Sequence, residues 1–121
     1  MEHKQLDVWK DSIDLVTEIY KITKEFPKEE IYSLITQIRR AAISIPCNIA
    51  EGAARKSDKE FIQFLYVALG SLAEVETQII ISEKLNYIDN PKSLLDKVLK
   101  VKQMILGLIK YLNKKKGNNL V

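Results

Sequence analysis

Polar side chains recur at steps of three or four through Ser33, Gln37, Arg40, Ser44, Asn48, Glu51 and Arg55. At about 100° per residue they fall on one helix face. A solvated face usually carries Lys and Glu. Small hydroxyls, amides and arginines suit packing against a second surface instead. Arginine offers a planar fork that holds a carboxylate or a phosphate in two bonds. Arg39 and Arg40 point about 100° apart, so they do not serve one site; Arg39 lies nearer the apolar edge and Arg40 within the polar stripe. Either arginine fits an ion pair between helices or subunits, and either fits a phosphate. Arg55, Lys56 and Lys59 gather where the helical pattern pauses, as solvated loop-end groups or as further phosphate ligands.

Catalytic chemistry finds little support. His3 is the sole histidine and stands in a terminus expected to be mobile, so no histidine-based triad or multi-histidine metal site forms within one chain. The paired Glu-x-x-His pattern of di-iron bundles is missing. Cys47 has no histidine near it in sequence and reads as a small buried hydrophobe. The four glycines stand too far apart for a phosphate loop. Glu74 and Glu76 point to different sides of a helix, and Glu51 with Arg55 has the spacing of an intrahelical ion pair. The chain is therefore expected to be no enzyme, with no metal and no cofactor.

These residues sit in a chain of 121, the size of one domain, residues 1–121. One cysteine excludes an internal disulfide and fits a reducing compartment. The polar opening MEHKQLDVWKD carries no signal-peptide core, and no apolar run approaches the roughly 18 residues of a membrane helix. The expected location is the cytoplasm. Net charge is +3, unevenly spread: residues 1–27 carry −2, residues 28–56 +2, residues 57–88 −3 and residues 89–121 +6. The last segment is the electrostatic outlier, a solubilising face or a surface for an acidic partner or nucleic acid.

Helix is the only periodic signal, and the spacing predicts four: about 7–25, 29–53, 58–85 and 91–114. In the first, Trp9, Ile13, Val16 and Tyr20 form the expected buried stripe, with Val8, Leu15, Ile19, Ile22 and Phe26 to one side. Phe26-Pro27 ends it, because the residue before a proline disfavours helical backbone. The second starts at the acidic pair Glu29–Glu30 and keeps its apolar phase from Ile31 to Ile49 through Pro46, which predicts a kink rather than a break. Ser57-Asp-Lys-Glu60 is a capping box that opens the third helix. Mid-helix Gly70 implies a close-packed neighbour, since glycine there costs about 1 kcal/mol against alanine. Asn90-Pro91 opens the fourth, whose Leu94, Val98, Val101, Ile105, Leu108, Ile109 and Leu112 face inward and whose Lys92, Lys100, Lys110 and Lys114 face outward. KKKGNNLV reads as a frayed tail. Four long helices with short connections argue an all-α, antiparallel, up-down-up-down four-helix bundle. The apolar stripes of helices one and three exceed a third of the circumference, which suits either a tight small bundle or an oligomer interface.

The stretches LDVWKDSIDLVTEIY, FPKEEIYSLITQIRRAAISIPCNIAEGAARKS and KEFIQFLYVALGSLAEVETQI, spanning most of residues 6–80, carry a family resemblance. The chain resembles the bacterial four-helix-bundle proteins encoded by intervening sequences of 23S ribosomal RNA genes. It is also similar to the accessory variability proteins of diversity-generating retroelements, basic rings that bind nucleic acid and a reverse transcriptase. The resemblance implies an antiparallel bundle that assembles as a ring, with a homopentamer expected. Its motif falls on Gln37, Arg39, Arg40, Ser44, Asn48, Glu51, Gly52 and Arg55, as structural and interface determinants first.

Together these readings give two expectations. The leading one is a non-catalytic, ring-forming bundle that binds structured RNA or DNA through phosphates, with Arg40, Arg55, Lys56, Lys59, Lys92, Lys100, Lys110 and Lys114 as contacts and Gln37, Ser44, Asn48 and Glu51 at the subunit interface. The rival is a scaffold for an element-encoded protein such as a reverse transcriptase, without direct nucleic-acid binding. Neither needs a membrane or a small-molecule substrate.

Overall fold

The computed structural model describes residues 1–119, with side chains to Lys115; Leu120 and Val121 at the end of the expected tail lie outside the described residues. It is all-helical with four long helices: α1 (Asp7–Thr23), α2 (Leu34–Ala53), α3 (Asp58–Lys84) and α4 (Lys92–Asn119). Two single 3-10 turns precede α1 and α2, at His3–Gln5 and Lys28–Glu30. Each helix packs on its neighbours in sequence, and α4 closes on α1. Met1 meets Ala53 and Tyr20 meets Arg39 between the first and second helices, Ser71 meets Ser44 between the second and third, Lys115 meets Asp58 between the fourth and third, and Lys100 meets Asp11 between the fourth and first.

The helix ends are built from local chemistry. Ser57 Oγ accepts the Glu60 amide at 3.2 Å, the first half of the expected capping box. Asn90 Oδ1 accepts the Lys92 amide at 3.0 Å ahead of α4. At the end of α3, Asn86 takes φ 64°, and the amides of Asn86 and Tyr87 turn back to the carbonyls of Glu83 and Ser82 at 2.9 Å. This is a Schellman closure, with asparagine tolerating the left-handed backbone.

The second helix begins five residues later than the spacing predicts. Pro27 leads into the 3-10 turn, and Ser33, at φ −129° and ψ −101°, interrupts the helical path before Leu34. Ile31 therefore leaves the apolar stripe and is 44% exposed. Glu30 serves the new start. Its carboxylate accepts the Ser33 hydroxyl at 2.6 Å and the Tyr87 hydroxyl at 2.9 Å, tying α2 to the α3–α4 connection. The bonds from Ser33, then Tyr87 and the Leu34 amide, hold its carboxyl below the ordinary value. Beyond that point α2 is continuous through Pro46, which is itself buried.

The core is one cluster in which Leu15, Ile19, Ile45, Ile49, Leu65, Val75, Ile79, Ile105 and Leu112 are fully enclosed. In α1 the expected stripes exchange roles. Val8, Leu15 and Ile19, with Phe26 just beyond the helix, are buried, whereas Ile22 of the same row and Trp9, Ile13, Val16 and Tyr20 are half-exposed. The buried row passes through Ser12 and Thr23, whose hydroxyls bond to the Trp9 and Ile19 carbonyls of their own helix at 2.7 Å and so need no outside partner. In α4 the expected inward set is buried except Leu108, which is half-exposed. Cys47 is exposed, not buried, because α2 turns Ala42, Ile45 and Ile49 inward instead.

Glycine placement reverses one expectation. A Cβ on Gly70 would meet nothing within 4 Å, so no close-packed neighbour explains it. The close approach lies at Gly52, where a Cβ would stand 2.8 Å from Phe64 Cβ and 2.9 Å from a Phe61 ring carbon. There α2 and α3 touch backbone to side chain. α3 also holds an 18-residue window of mean hydropathy 1.4, long and apolar enough to cross a membrane by length and composition alone, although Glu74 and Glu76 interrupt its apolar sequence. One-third of that window is buried in the bundle, and Tyr66, Val67, Ile80, Ile81 and Leu85 remain exposed.

Candidate nucleic-acid interface

The polar stripe of α2 is divided by the fold. Ser44 shares a 2.7 Å hydrogen bond with Ser71 of α3, and Asn48 donates to the Ser44 carbonyl at 2.8 Å and to its hydroxyl at 2.9 Å. Ser44 thus serves the α2–α3 seam within the chain, and Asn48 braces it from its own helix. Gln37, Arg40 and Glu51 are exposed. Glu51 accepts from Arg55 at 3.2 Å, and the Arg55 guanidinium lies 4.8 Å from the Phe64 ring centre. Arg39 turns to α1, donating from Nε to Thr23 Oγ1 at 2.8 Å and lying over the Tyr20 ring at 4.4 Å.

The lysines of α4 do not act as one set. Lys92 pairs with Asp96 at 2.8 Å, which raises its pKa above the ordinary value through that hydrogen bond and charge. Lys100 reaches Asp11 at 3.1 Å and Lys97 reaches Glu18 at 3.6 Å, so the basic helix lies along the acidic side of α1. These pairs and Asp14, Thr17 and Lys21 line a cleft of about 310 Å³ between the two helices. The cleft has both signs of charge, a poor setting for a polyanion.

The other end of α4 differs. Lys115 contacts Asp58 at 3.7 Å and so brings the last described turn beside the α2–α3 connection. The 3-10 turn carrying Lys4 packs on α2, and the Met1 amine donates to the Ala53 carbonyl at 3.0 Å. Lys4, Arg55, Lys56, Lys59, Lys114 and Lys115 therefore converge on one end of the bundle. Glu51 and Asp58 there are engaged by Arg55 and Lys115, and among the described residues Lys4, Lys56, Lys59, Lys110 and Lys114 have no carboxylate partner within ion-pair distance. Lys92 starts the same helix 22 residues before Lys114, about 33 Å away at 1.5 Å per residue. It cannot share that site. Sequence reasoning missed Lys4 and Lys115, which only the folding of both termini onto the α2–α3 connection brings in. His3, for its part, belongs to the ordered 3-10 turn, its ring 5.2 Å from the Trp9 ring.

Among the described residues no group of three or more His, Cys, Asp or Glu side chains could hold a metal ion.

Comparison with known proteins agrees with this architecture. The family model described as 23S rRNA-intervening sequence protein matches residues 4–107. The chain belongs to that family. In the fold, the matched segment runs from the first 3-10 turn through most of α4. A solved structure of a protein of unknown function from the S23 ribosomal protein family, from Bacteroides thetaiotaomicron VPI-5482, superposes with a TM-score of 0.78 at 22% identity. The likeness covers 91% of this chain and 99% of that one, and it shows a shared fold. No curated protein matches the chain. The family name refers to genes interrupting ribosomal RNA and assigns no chemistry to any residue described above.

Proposed function

We propose that this intervening-sequence protein is a non-catalytic bundle that binds structured nucleic acid through phosphates at the end formed by Lys4, Arg55, Lys56, Lys59, Lys114 and Lys115. The carrying observation is the distribution of charge: Lys97 and Lys100 of α4 face carboxylates of α1 and Lys92 pairs with Asp96, whereas at this end Lys4, Lys56, Lys59 and Lys114 have no ion-pair partner among the described residues, although Arg55 and Lys115 do. Lysines free of ion pairs are available to displace the counterions condensed on a phosphate backbone. A ring would multiply this modest per-subunit charge. The exposed apolar residues of α3, with Leu99 and Leu106 of α4, support such assembly.

Fluorescence anisotropy of labelled structured RNA and duplex DNA across a salt series tests the reading. On duplex DNA, log affinity should fall by about 0.9 per log salt for each phosphate neutralised. K56E/K59E should weaken binding and lower that slope by about two contacts, whereas K92E and K100E should leave it unchanged. Absence of binding by the wild type at low salt would leave the scaffold reading, which the same exposed apolar residues favour.

A further inference from the structure

At the opposite end of α2, Arg39 is held in an unusual state for a half-buried arginine. Its Nε donates to Thr23 Oγ1 at 2.8 Å, its Nη2 to the Tyr20 carbonyl at 3.4 Å, and the guanidinium rests on the Tyr20 ring. The fork is thereby pre-positioned. Yet among the described residues no carboxylate lies within ion-pair distance of it, although cations drawn out of water ordinarily find a counter-ion. Arg39 lines a half-open cleft of about 330 Å³ whose other cations, Lys24 and Lys28, also have no such partner. The floor is apolar, made by Phe26, Ile31 and Ile35, and no carboxylate contributes to the lining.

We propose that this cleft binds an acidic peptide segment of a partner protein, one that presents a carboxylate beside an apolar side chain. The guanidinium fork matches a carboxylate in two bonds, and Lys24 and Lys28 add charge at the rim. The apolar floor takes the neighbouring side chain. It offers a nucleic acid little beyond charge: the Thr23 and Thr36 hydroxyls are already donating to the Ile19 and Ile31 carbonyls. Tyr32, 96% exposed and next in sequence to Ile31 of the floor, extends the apolar contact. Arg39 precedes Arg55 by 16 residues on the same run of chain, which is about 24 Å along a helix, so this surface is separate from the basic end.

The test uses the full chain and a short fluorescein-labelled peptide with a Glu-Leu-Phe-Glu core, read by anisotropy. Matching peptides carry Lys for Glu, or Ser-Ser for Leu-Phe. The wild type should bind the first peptide and lose about tenfold or more in affinity for each altered one. K24E/K28E, at exposed rim positions, should weaken binding of the first peptide by a similar factor while its circular dichroism and RNA affinity stay unchanged. R39K should weaken the peptide too, because lysine keeps the charge but not the fork. No binding of the first peptide up to about 1 mM, equal binding of the Ser-Ser peptide, or full displacement by inorganic phosphate with no preference for the apolar core would overturn the proposal. So would sedimentation showing that K24E/K28E dissociates an assembly, since the cleft would then be filled by a second copy. Retained RNA binding in K24E/K28E separates failure here from failure of the phosphate reading.

Discussion

Replacing glycine by alanine should stabilise at Gly70 and Gly107 and destabilise at Gly52. In a helix interior the exchange gains about 1 kcal/mol from backbone entropy alone. At Gly70 and Gly107 the new methyl meets nothing within 4 Å, so that gain should appear undiminished. At Gly52 the methyl would stand 2.8 Å from Phe64 Cβ, 2.9 Å from Phe61 Cδ1 and 3.3 Å from the Phe61 carbonyl oxygen, against an ordinary contact of 3.4 Å or more. Phe64 Cβ is fixed to its own backbone and cannot swing aside. Relief requires α2 and α3 to part by roughly half an ångström, and such overpacking costs about 1–3 kcal/mol. After the propensity gain, Gly52→Ala should lose up to about 2 kcal/mol net. With a urea slope of about 1–3 kcal/mol per molar, its midpoint should fall on the order of 1 M, while Gly70→Ala rises by a few tenths. Urea titrations followed at 222 nm, at one protein concentration for all variants, measure this. A Gly52→Ala midpoint at or above wild type would refute the claim that glycine is required by the α2–α3 approach.

Stability should also depend on Glu30. Its folded pKa is lowered from 4.5, so its contribution is present above that value and is lost as pH falls through the folded pKa. Urea midpoints of the wild type should fall more between pH 6 and pH 3 than those of Glu30→Gln, and identical slopes would count against the carboxylate anchor. Tyr87, with its pKa raised from 10.0 chiefly by the bond to Glu30, adds stability that is present below pH 10 and lost above it, a loss that Tyr87→Phe should remove. Ser71→Ala, which strips the part-buried Ser44 hydroxyl of one partner, should cost about 1 kcal/mol by the same titration. Leu65→Ala, at a fully enclosed site, should cost about 2–5 kcal/mol. Cys47→Ser should stay within about 0.5 kcal/mol of wild type, because the thiol is exposed; a loss of core size would restore the buried reading.

Much of the architecture was legible because it is written at short range. Helical periodicity, the serine of the Ser57–Glu60 box and the Asn90 cap involve residues three or four apart, whose geometry one helix turn sets without help from the rest of the molecule. The inward set of α4 and the core of α3 follow from the same spacing. The candidate site was legible in part. Arg55, Lys56 and Lys59 are neighbours in sequence, so their cluster needed only a chain reversal to be seen.

Where two helices must dock, sequence spacing alone ran out. Trp9, Ile13, Val16 and Tyr20 form as good a stripe as the row that is buried, and only the approach of α2 and α4 selects between them. The selected row is interrupted by Ser12 and Thr23, which can be buried because their hydroxyls bond to their own helix. Apart from Lys92, paired with Asp96 of its own helix, the ion-paired lysines of α4 depend on what α1 and the α2–α3 connection place opposite them. Acidic Asp11 and Glu18 neutralise Lys100 and Lys97, and nothing comparable meets Lys114. Arg39, which by sequence fitted an ion pair or a phosphate, meets a hydroxyl, a carbonyl and an aromatic face supplied by α1. Local periodicity therefore determined which segments are helices and which residues could line a face. Charge pairing between helices, close approach and the grouping of cations on both candidate surfaces were decided by tertiary contacts, because each depends on residues distant in sequence that the bundle alone brings near.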